Sequence, residues 1–462
     1  MKEHMQNPDP PTDRRRLSPL KIAWYVCFAI GGMVLVCVLG VLLFPNPLVN
    51  RFIKPAITKA FAEAYPAYSI RIADMQYSVA QNRFSVDSVA VSSADGTFSG
   101  TMGPFSVSGI TWMHFLWRGS LDSGDFASSV LEAQDIVLNL LPSHYELRCK
   151  RLSVSIPDSA MVAVSLAIHP LAGDEQFFGE SKYRRTRFIV VAPQCRVMGL
   201  ACLELLQAKM YRARSVHIRD AFFDILIDKD KPNAKDTSRL LMPNEILSSI
   251  ETAVQVDSLS VMNGRLRYGE RYVVGSTPTL ITFDSVRVLA EGIANHGARG
   301  TAVVIHAQGT FMKGGTMIVL MSIPVGSPEF SFQYSGSLSG MNLCALNSHL
   351  EPAEQMRITT GILQAATFEI NVTSGRASGS VRAVYRDLTI AAINRHTGSE
   401  TGFSDTIVSW IANTFKIRST NVPDESAVIA IGKVKYMRKR DDPFFGFVWA
   451  ALRSGVQDVV GW

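Results

Sequence analysis

Ile70–Val79 reads IRIADMQYSV, Arg83–Ser92 reads RFSVDSVAVS and Phe105–Ile110 reads FSVSGI. In each, apolar and polar residues alternate, and Asn, Asp, Gly or Ser stand at the ends. That is the period of half-buried β-strands closed by turns. The same reading extends through LEAQDIVLNL, ELRCKRLSVSI, MVAVSLAI, LITFDSVRVLA, GTAVVIHAQGTF, TMIVLMSIPV and FSFQYSGSL. The fold class expected is therefore mainly β, an elongated antiparallel sheet with a few short amphipathic helices. About 20 strands at about 4.8 Å apart would give a sheet roughly 100 Å long, which must twist, curl or close. Sandwiches, a barrel and a curved groove all satisfy the periodicity.

Upstream of the strands the pattern changes. Ile22–Phe44, IAWYVCFAIGGMVLVCVLGVLLF, carries no charge. As a helix it measures roughly 34 Å, enough to cross a hydrocarbon core of about 30 Å. Arg14, Arg15, Arg16 and Lys21 precede it, which orients the N-terminus toward the cytoplasm. A cleaved signal peptide is the competing reading, but this run is long and ends in Leu42, Leu43, Phe44 and Pro45 rather than small residues. After it, Val49, Phe52, Ile53, Ala56, Ile57, Ala60, Phe61 and Ala64 recur at helical spacing. This helix either lies on a membrane surface or plugs one end of the sheet. Further helices are expected at Ile110–Gly119 and Leu241–Val254.

Three stretches, CKRLSVSIPDSAMVAV, ARSVHIRDAFFDILI and VDSLSVMNGRLRYGE, share a form: alternating residues, a turn near Pro157, Asp220 or Asn263 and Gly264, then more alternation. Each is expected to be a hairpin.

The chemistry of the body is sparse. No HExxH, GxSxG, Walker or Rossmann pattern occurs, and the only SxxK, Ser18 to Lys21, precedes the apolar run. No catalytic residue, cofactor or metal site is assigned, and an enzyme is not expected. Cys149, Cys195, Cys202 and Cys344 lack metal-ligand spacing; Cys195 and Cys202 are either free thiols or a disulfide in an oxidising compartment. The net charge of +6 is dispersed over 462 residues without a basic stripe, so nucleic acid is not an expected partner.

Gly336–Arg395 narrows the architecture. Gly340 with Asn342 and Leu346, the pair Glu351 and Pro352, Ile358 to Gly361 leading into a strand, and Gly379 leading to Tyr385, Asp387 and Leu388 follow one another in order. In this order, and in the apolar run, helix and strands before it, the chain resembles the AsmA-like family that includes TamB-type proteins. The resemblance implies a cytoplasmic N-terminus (1–20), a membrane anchor (21–45), a connecting helix (46–66), β-groove repeats (67–335) and a C-terminal region with a terminal helix (336–462). It implies a protein of the Gram-negative inner membrane with a periplasmic, taco-shaped groove that conducts glycerophospholipid acyl chains and supports the outer membrane. Candidate lining residues are Leu259 and Val261; Phe330, Phe332 and Tyr334; Phe368, Ile370 and Val372; and Val381 and Ala383. Facing a sandwich core is the other reading of these residues. Partners implied are the inner membrane, phospholipid acyl chains and other envelope proteins. A scaffold for outer-membrane protein assembly is the alternative function, and the body is short for a continuous bridge between two membranes.

The closing stretch, Phe444 to Val460, aligns Phe444, Val448, Leu452, Val456 (or Gly455) and Val459 near one face, close to Lys433, Lys435, Arg438, Lys439 and Arg440. It binds a membrane surface or caps the open end of the sheet.

Overall fold

A computed structural model describes Met33 and residues 45–111, 123–206, 210–233, 242–273, 275–296, 301–325, 329–393, 417–423 and 428–461. The expected membrane anchor, apart from Met33 and Pro45, and nearly all of the helix expected at Ile110–Gly119 lie outside the described residues. Among the described residues no helix is long and apolar enough to cross a membrane.

Among the described residues twenty strands form one sheet. They are β1 (Tyr68–Ile72), β2 (Met75–Ser78), β3 (Arg83–Val86), β4 (Val89–Ser93), β5 (Phe98–Met102), β6 (Phe105–Ser108), β7 (Val130–Leu140), β8 (Tyr145–Ser155), β9 (Ala160–Pro170) and β10 (Thr186–Met198). There follow β11 (Met210–Arg219), β12 (Phe222–Asp228), β13 (Ala253–Arg271), β14 (Thr279–Ala294), β15 (Ala302–Phe311), β16 (Gly315–Pro324), β17 (Phe332–Asn342), β18 (Met356–Thr373), β19 (Arg376–Ala392) and β20 (Ile431–Met437). β1 and β2 lie end to end along β4 and β3, these along β5 and β6, and these in turn along β7. β11 and β12 likewise share a row between β10 and β13. Twenty strands thus fill sixteen rows, which at about 4.8 Å measure roughly 72 Å rather than 100 Å.

The sheet is mixed, which corrects the all-antiparallel expectation. β13 runs parallel to β11 and β12, because the chain crosses back between Asp228 and Ala253 instead of reversing in a tight turn. Only the first of the three expected hairpins exists, β8 with β9. At Asp220 and at Asn263 the chain continues in the same direction through a bulge, with φ of 55° at both residues. Ser285 in β14 and Asp387 in β19 hold the same left-handed backbone, φ 51° and 55°.

These bulges reverse the side-chain parity. A bulge adds one residue to a strand, so the apolar set moves from one alternation to the other while staying on one face. In β14 the inward residues are Ile281 and Phe283 before Ser285, and Val286 and Val288 after it. In β11 and β12, Val216 and Ile218 pack inward before Asp220, and Phe223, Ile225 and Ile227 after it. Bulges bend and twist a strand, and a line of them across neighbouring rows curls the sheet.

Among the described residues six helices accompany the sheet. α1 runs from Pro45–Leu48 through a π turn, Val49–Ile53, into Lys54–Ala64. α2 is Asp174–Gly179, α3 Cys202–Leu206, α4 Pro243–Ser248, α5 Asn347–Glu354 and α6 Phe444–Val460. α4 stops at Ser248, shorter than the helix expected to Val254, and Ala253 already belongs to β13. α1 rests on the sheet mainly through Val49 and Ile53, which join Met75 and Val86 in a small core. Its remaining expected face stays open, with Phe52 and Ile57 exposed.

Both outer strands are fastened by helix side chains. In β2 the Met75 amide donates to Asn50 Oδ1 and the Tyr77 amide to Asn46 Oδ1, both at 2.9 Å. In β20 the Lys433 amide donates to Asp458 Oδ2 at 2.7 Å and the Lys435 amide to Ser454 Oγ at 3.1 Å. Salt bridges then pin the segment that follows the last strand: Arg438 to Glu245, between β12 and β13, at 3.2 Å, and Asp441 to Arg184, just ahead of β10, at 3.0 Å. The crossover residue Met242 is fully buried in the main core. The sheet between β10 and β20 is therefore curled into a trough, with α6 inside it.

Candidate functional site

α6 enters the trough because its sequence presents two faces at once. Phe447, Ala451, Gly455 and Val459, four apart, are fully or almost fully buried against β19 and β20. The close approach is permitted by two glycines. A Cβ on Gly432 would sit 1.9 Å from the Gly455 carbonyl oxygen, and one on Gly455 would sit 2.5 Å from Val381 Cγ2. Helix and strand touch backbone to backbone there, where any other residue would hold them apart.

Beside this seam the trough is wider than the helix. A cavity of about 370 Å³ lies between α6 and the sheet. Leu266 and Tyr268 of β13, Ile281, Phe283, Val286 and Val288 of β14, and Ile305 and Ala307 of β15 form one wall. Met317, Val319 and Met321 of β16, Tyr334 of β17 and Phe368 of β18 form the next, and Phe444, Phe445, Val448, Trp449 and Leu452 of α6 close it. Gln308 is the only amide side chain in this lining. The size falls within the ~300–1,000 Å³ of ordinary ligand pockets. Two methionines, Met317 and Met321, and a tryptophan give such a wall shape tolerance.

The candidates named from sequence separate into three groups. Tyr334 and Phe368, with Phe444, Val448 and Leu452, line the cavity. Phe330, Phe332, Ile370, Val372, Val381 and Ala383 are buried in the same core but under the helix: the Phe330 and Phe447 rings lie 5.2 Å apart, and Val381 meets Gly455. Leu259 and Val261 are half-buried in the other half of the sheet, beside Val216 and Ile218 of β11. Val459 is fully buried, whereas Val456 is exposed. The cavity residues not singled out from sequence lie on both sides of the bulge at Ser285: Leu266, Tyr268, Ile281 and Phe283 before it, and Val286, Val288 and the β15 and β16 wall after it.

Polar groups gather at one side of the site. Glu270 is buried and accepts hydrogen bonds from Tyr268 Oη at 2.7 Å and Tyr272 Oη at 2.5 Å, with Lys229 Nζ 2.7 Å away. Burial pushes the Glu270 carboxyl upward, and the Lys229 charge with these hydrogen bonds outweighs it, so the group lies below its ordinary value. His349 of α5 is buried and packs edge-on against Trp449, ring centroids 5.5 Å apart. Burial lowers His349 to about 4, Glu270 opposing and Arg453 and Lys229 assisting.

A second polar cluster lies on the opposite face, under α2. Asp224, Arg187, Asp228 and Arg271 are all buried there beside Phe177, Phe178 and Leu226. Arg187 Nη1 donates to Asp224 Oδ2 at 2.8 Å, Arg267 also holds Asp224, and Arg187 reaches Asp174 at 3.0 Å. Its charges satisfy one another, so it fastens the helix to the sheet.

Cys149, Cys195 and Cys202 are buried free thiols in the second core cluster, and Cys344 is also free; Cys195 and Cys202 form no disulfide. Burial raises the first three thiols above their ordinary value, which makes them inert packing groups. Among the described residues no group of His, Cys, Asp and Glu is arranged to hold a metal ion. No protein-family model and no curated protein matches the chain.

Proposed function

We propose that this chain is a non-enzymatic envelope protein that takes glycerophospholipid acyl chains into the cavity under α6 and passes them along the inner face of the sheet. The observation that carries the reading is the cavity wall itself: eighteen of its twenty lining residues have aliphatic, aromatic or methionine side chains, the others being Gln308 and Gly309. Burying apolar area releases about 25 cal/mol per Å², so such a space favours hydrocarbon over water, and no reacting group is needed for a chain to slide through it. The apolar run at Ile22–Phe44 and the exposed Phe52 and Ile57 of α1 support placement of the body against a membrane. The resemblance to AsmA-like proteins belongs to the same proposal.

Native mass spectrometry of the full chain, released from detergent and followed by lipid extraction, tests it. Co-purifying phospholipid in fixed stoichiometry is the expected result. Ala307→Phe, which fills the cavity from its wall, should displace that lipid while the protein remains folded. A folded wild-type chain that carries no lipid and takes up none from vesicles would sink the proposal and favour the scaffold role.

A further inference from the structure

On the outer face of the sheet, β10 and β11 form a second depression of about 280 Å³, lined by Gln194, Arg196, His217 and Arg219. The ladder builds it. Gln194 stands opposite Arg219 and Arg196 opposite His217, so the four side chains make a two-by-two block on one face. Cys195 and Val197, which alternate with them, and Val216 and Ile218 pack inward instead. His217 is fixed from both ring nitrogens, Nδ1 lying 2.7 Å from Ser260 Oγ and Nε2 3.0 Å from Ser215 Oγ. It serves as a wall beside the two arginines.

Unlike the arginines under α2, this pair has no counter-charge. Among the described residues Arg196 and Arg219 make no salt bridge and no side-chain hydrogen bond. The block is flanked by Val162 and Val164 on β9 and by Ser260 and Met262 on β13, none of them acidic. Asp220, next to Arg219, is engaged by Asn263. Like charges this close on a ladder are unfavourable, and an anion seated between them relieves the repulsion.

The donor set defines that anion. Each guanidinium presents a planar fork that matches two oxygens of an oxyanion, and the Gln194 amide adds a neutral donor. Two forks and an amide exceed what the two oxygens of a carboxylate accept, whereas a phosphate monoester offers three terminal oxygens and close to two negative charges. The volume lies just under the ~300 Å³ of small-ligand pockets, which admits a phosphate with a small substituent and not a whole lipid. We infer that Arg196, Arg219 and Gln194 bind the phosphate of a phosphomonoester on the outer face of the sheet. The site is separate from the acyl-chain cavity and does not rest on it.

The test titrates the full chain, in a neutral detergent at low ionic strength, with glycerol 3-phosphate, inorganic phosphate and acetate, followed by calorimetry. Both phosphates should bind at one site, and acetate about tenfold more weakly or worse. Arg196→Gln and Arg219→Gln should each weaken glycerol 3-phosphate about tenfold, as loss of a charge-assisted hydrogen bond does. Arg287→Gln, at an exposed position of β14 outside the pocket, should leave it unchanged. The ³¹P line of glycerol 3-phosphate, broadened by the wild-type chain and sharpened again by excess inorganic phosphate, is a readout that needs no variant. No saturable phosphate binding at millimolar concentration, acetate bound as tightly, or an equal loss in Arg287→Gln would each overturn the site. Mixed micelles identify the source of the phosphate. A preference for phosphatidic acid over phosphatidylcholine of the same chains, erased by Arg196→Gln and kept by Arg287→Gln, assigns the site to a lipid headgroup. Absence of that preference, with glycerol 3-phosphate still bound, assigns it to a soluble ester.

Discussion

Asn263 Nδ2 donates to Asp220 Oδ1 at 2.6 Å, joining two residues that hold φ of 55° on neighbouring parallel strands. The bond ties one bulge to the next and so sets the line along which β11, β12 and β13 bend together. Asn tolerates the left-handed backbone because its short amide bonds locally. Asn263→Ala loses both the bond and that tolerance, and should cost about 1–3 kcal/mol in urea unfolding. Asn263→Gly keeps the backbone and should cost about 1 kcal/mol, the hydrogen bond alone.

Gly432 and Gly455 test the seating of α6. Gly432→Ala drives a Cβ into the Gly455 carbonyl, and Gly455→Val meets Val381 and Val434. Each should destabilise by about 2–3 kcal/mol through overpacking, with amide exchange across residues 444–460 accelerating first. Gly173→Ala, where an added Cβ meets nothing within 4 Å, should stay within about 0.5 kcal/mol of wild type.

Asp224 lies 2 % exposed between Arg187 and Arg267. Burial alone would raise its carboxyl; the hydrogen bonds and charges of Arg267 and Arg187 hold it below the ordinary value. A depressed carboxyl stabilises the fold above its unfolded pKa, near 4, and that contribution is lost as pH falls through the folded value. Asp224→Ala leaves Arg187 buried with only Asp174, and should cost about 3 kcal/mol at pH 7 in chemical denaturation. The difference from wild type should shrink below pH 4.

His349 predicts the opposite group in the same acid direction. Its folded value near 4 lies below the ordinary 6.5, so the unfolded chain takes the proton first. Its contribution is complete above about pH 6.5, falls as pH drops from there to about 4, and is constant below. His349→Phe should therefore flatten the thermal stability profile between pH 6.5 and 4, by an amount of the order of 2–3 kcal/mol. An unchanged slope would mean that the imidazole titrates freely.

Strand after strand was legible from sequence, since alternation depends only on which face meets the core. The direction of the chain at Asp220 and Asn263 was not. Asn-Gly after an apolar run is the standard hairpin signal because Asn and Gly accept positive φ, and a bulge asks for the same backbone. What separates the two is the partner strand: Asp220 lies beside Met262 and Asn263 on β13, a pairing that local pattern does not contain. The α6 seam was read only in part, for a related reason. Hydrophobic spacing selects large residues, Phe444, Val448, Leu452 and the buried Val459, and leaves Val456 and Gly455 as alternatives, while the tightest contact is made by Gly455 beside Ala451, which pack closely because they are small. The cavity was visible only at one side, through Tyr334 and Phe368 with Phe444, Val448 and Leu452 of α6; the wall of β13–β16, which includes the parity change at Ser285, was not singled out.

The side chains of Asn46 and Asn50 on one outer strand, and of Ser454 and Asp458 on the other, occupy amides that a foreign strand would need. Two copies set end to end would have to unfasten a helix before their sheets could merge at these segments. Tiling is thereby discouraged, and the reach of the trough is written into the number of strands in one chain, not into how many copies gather.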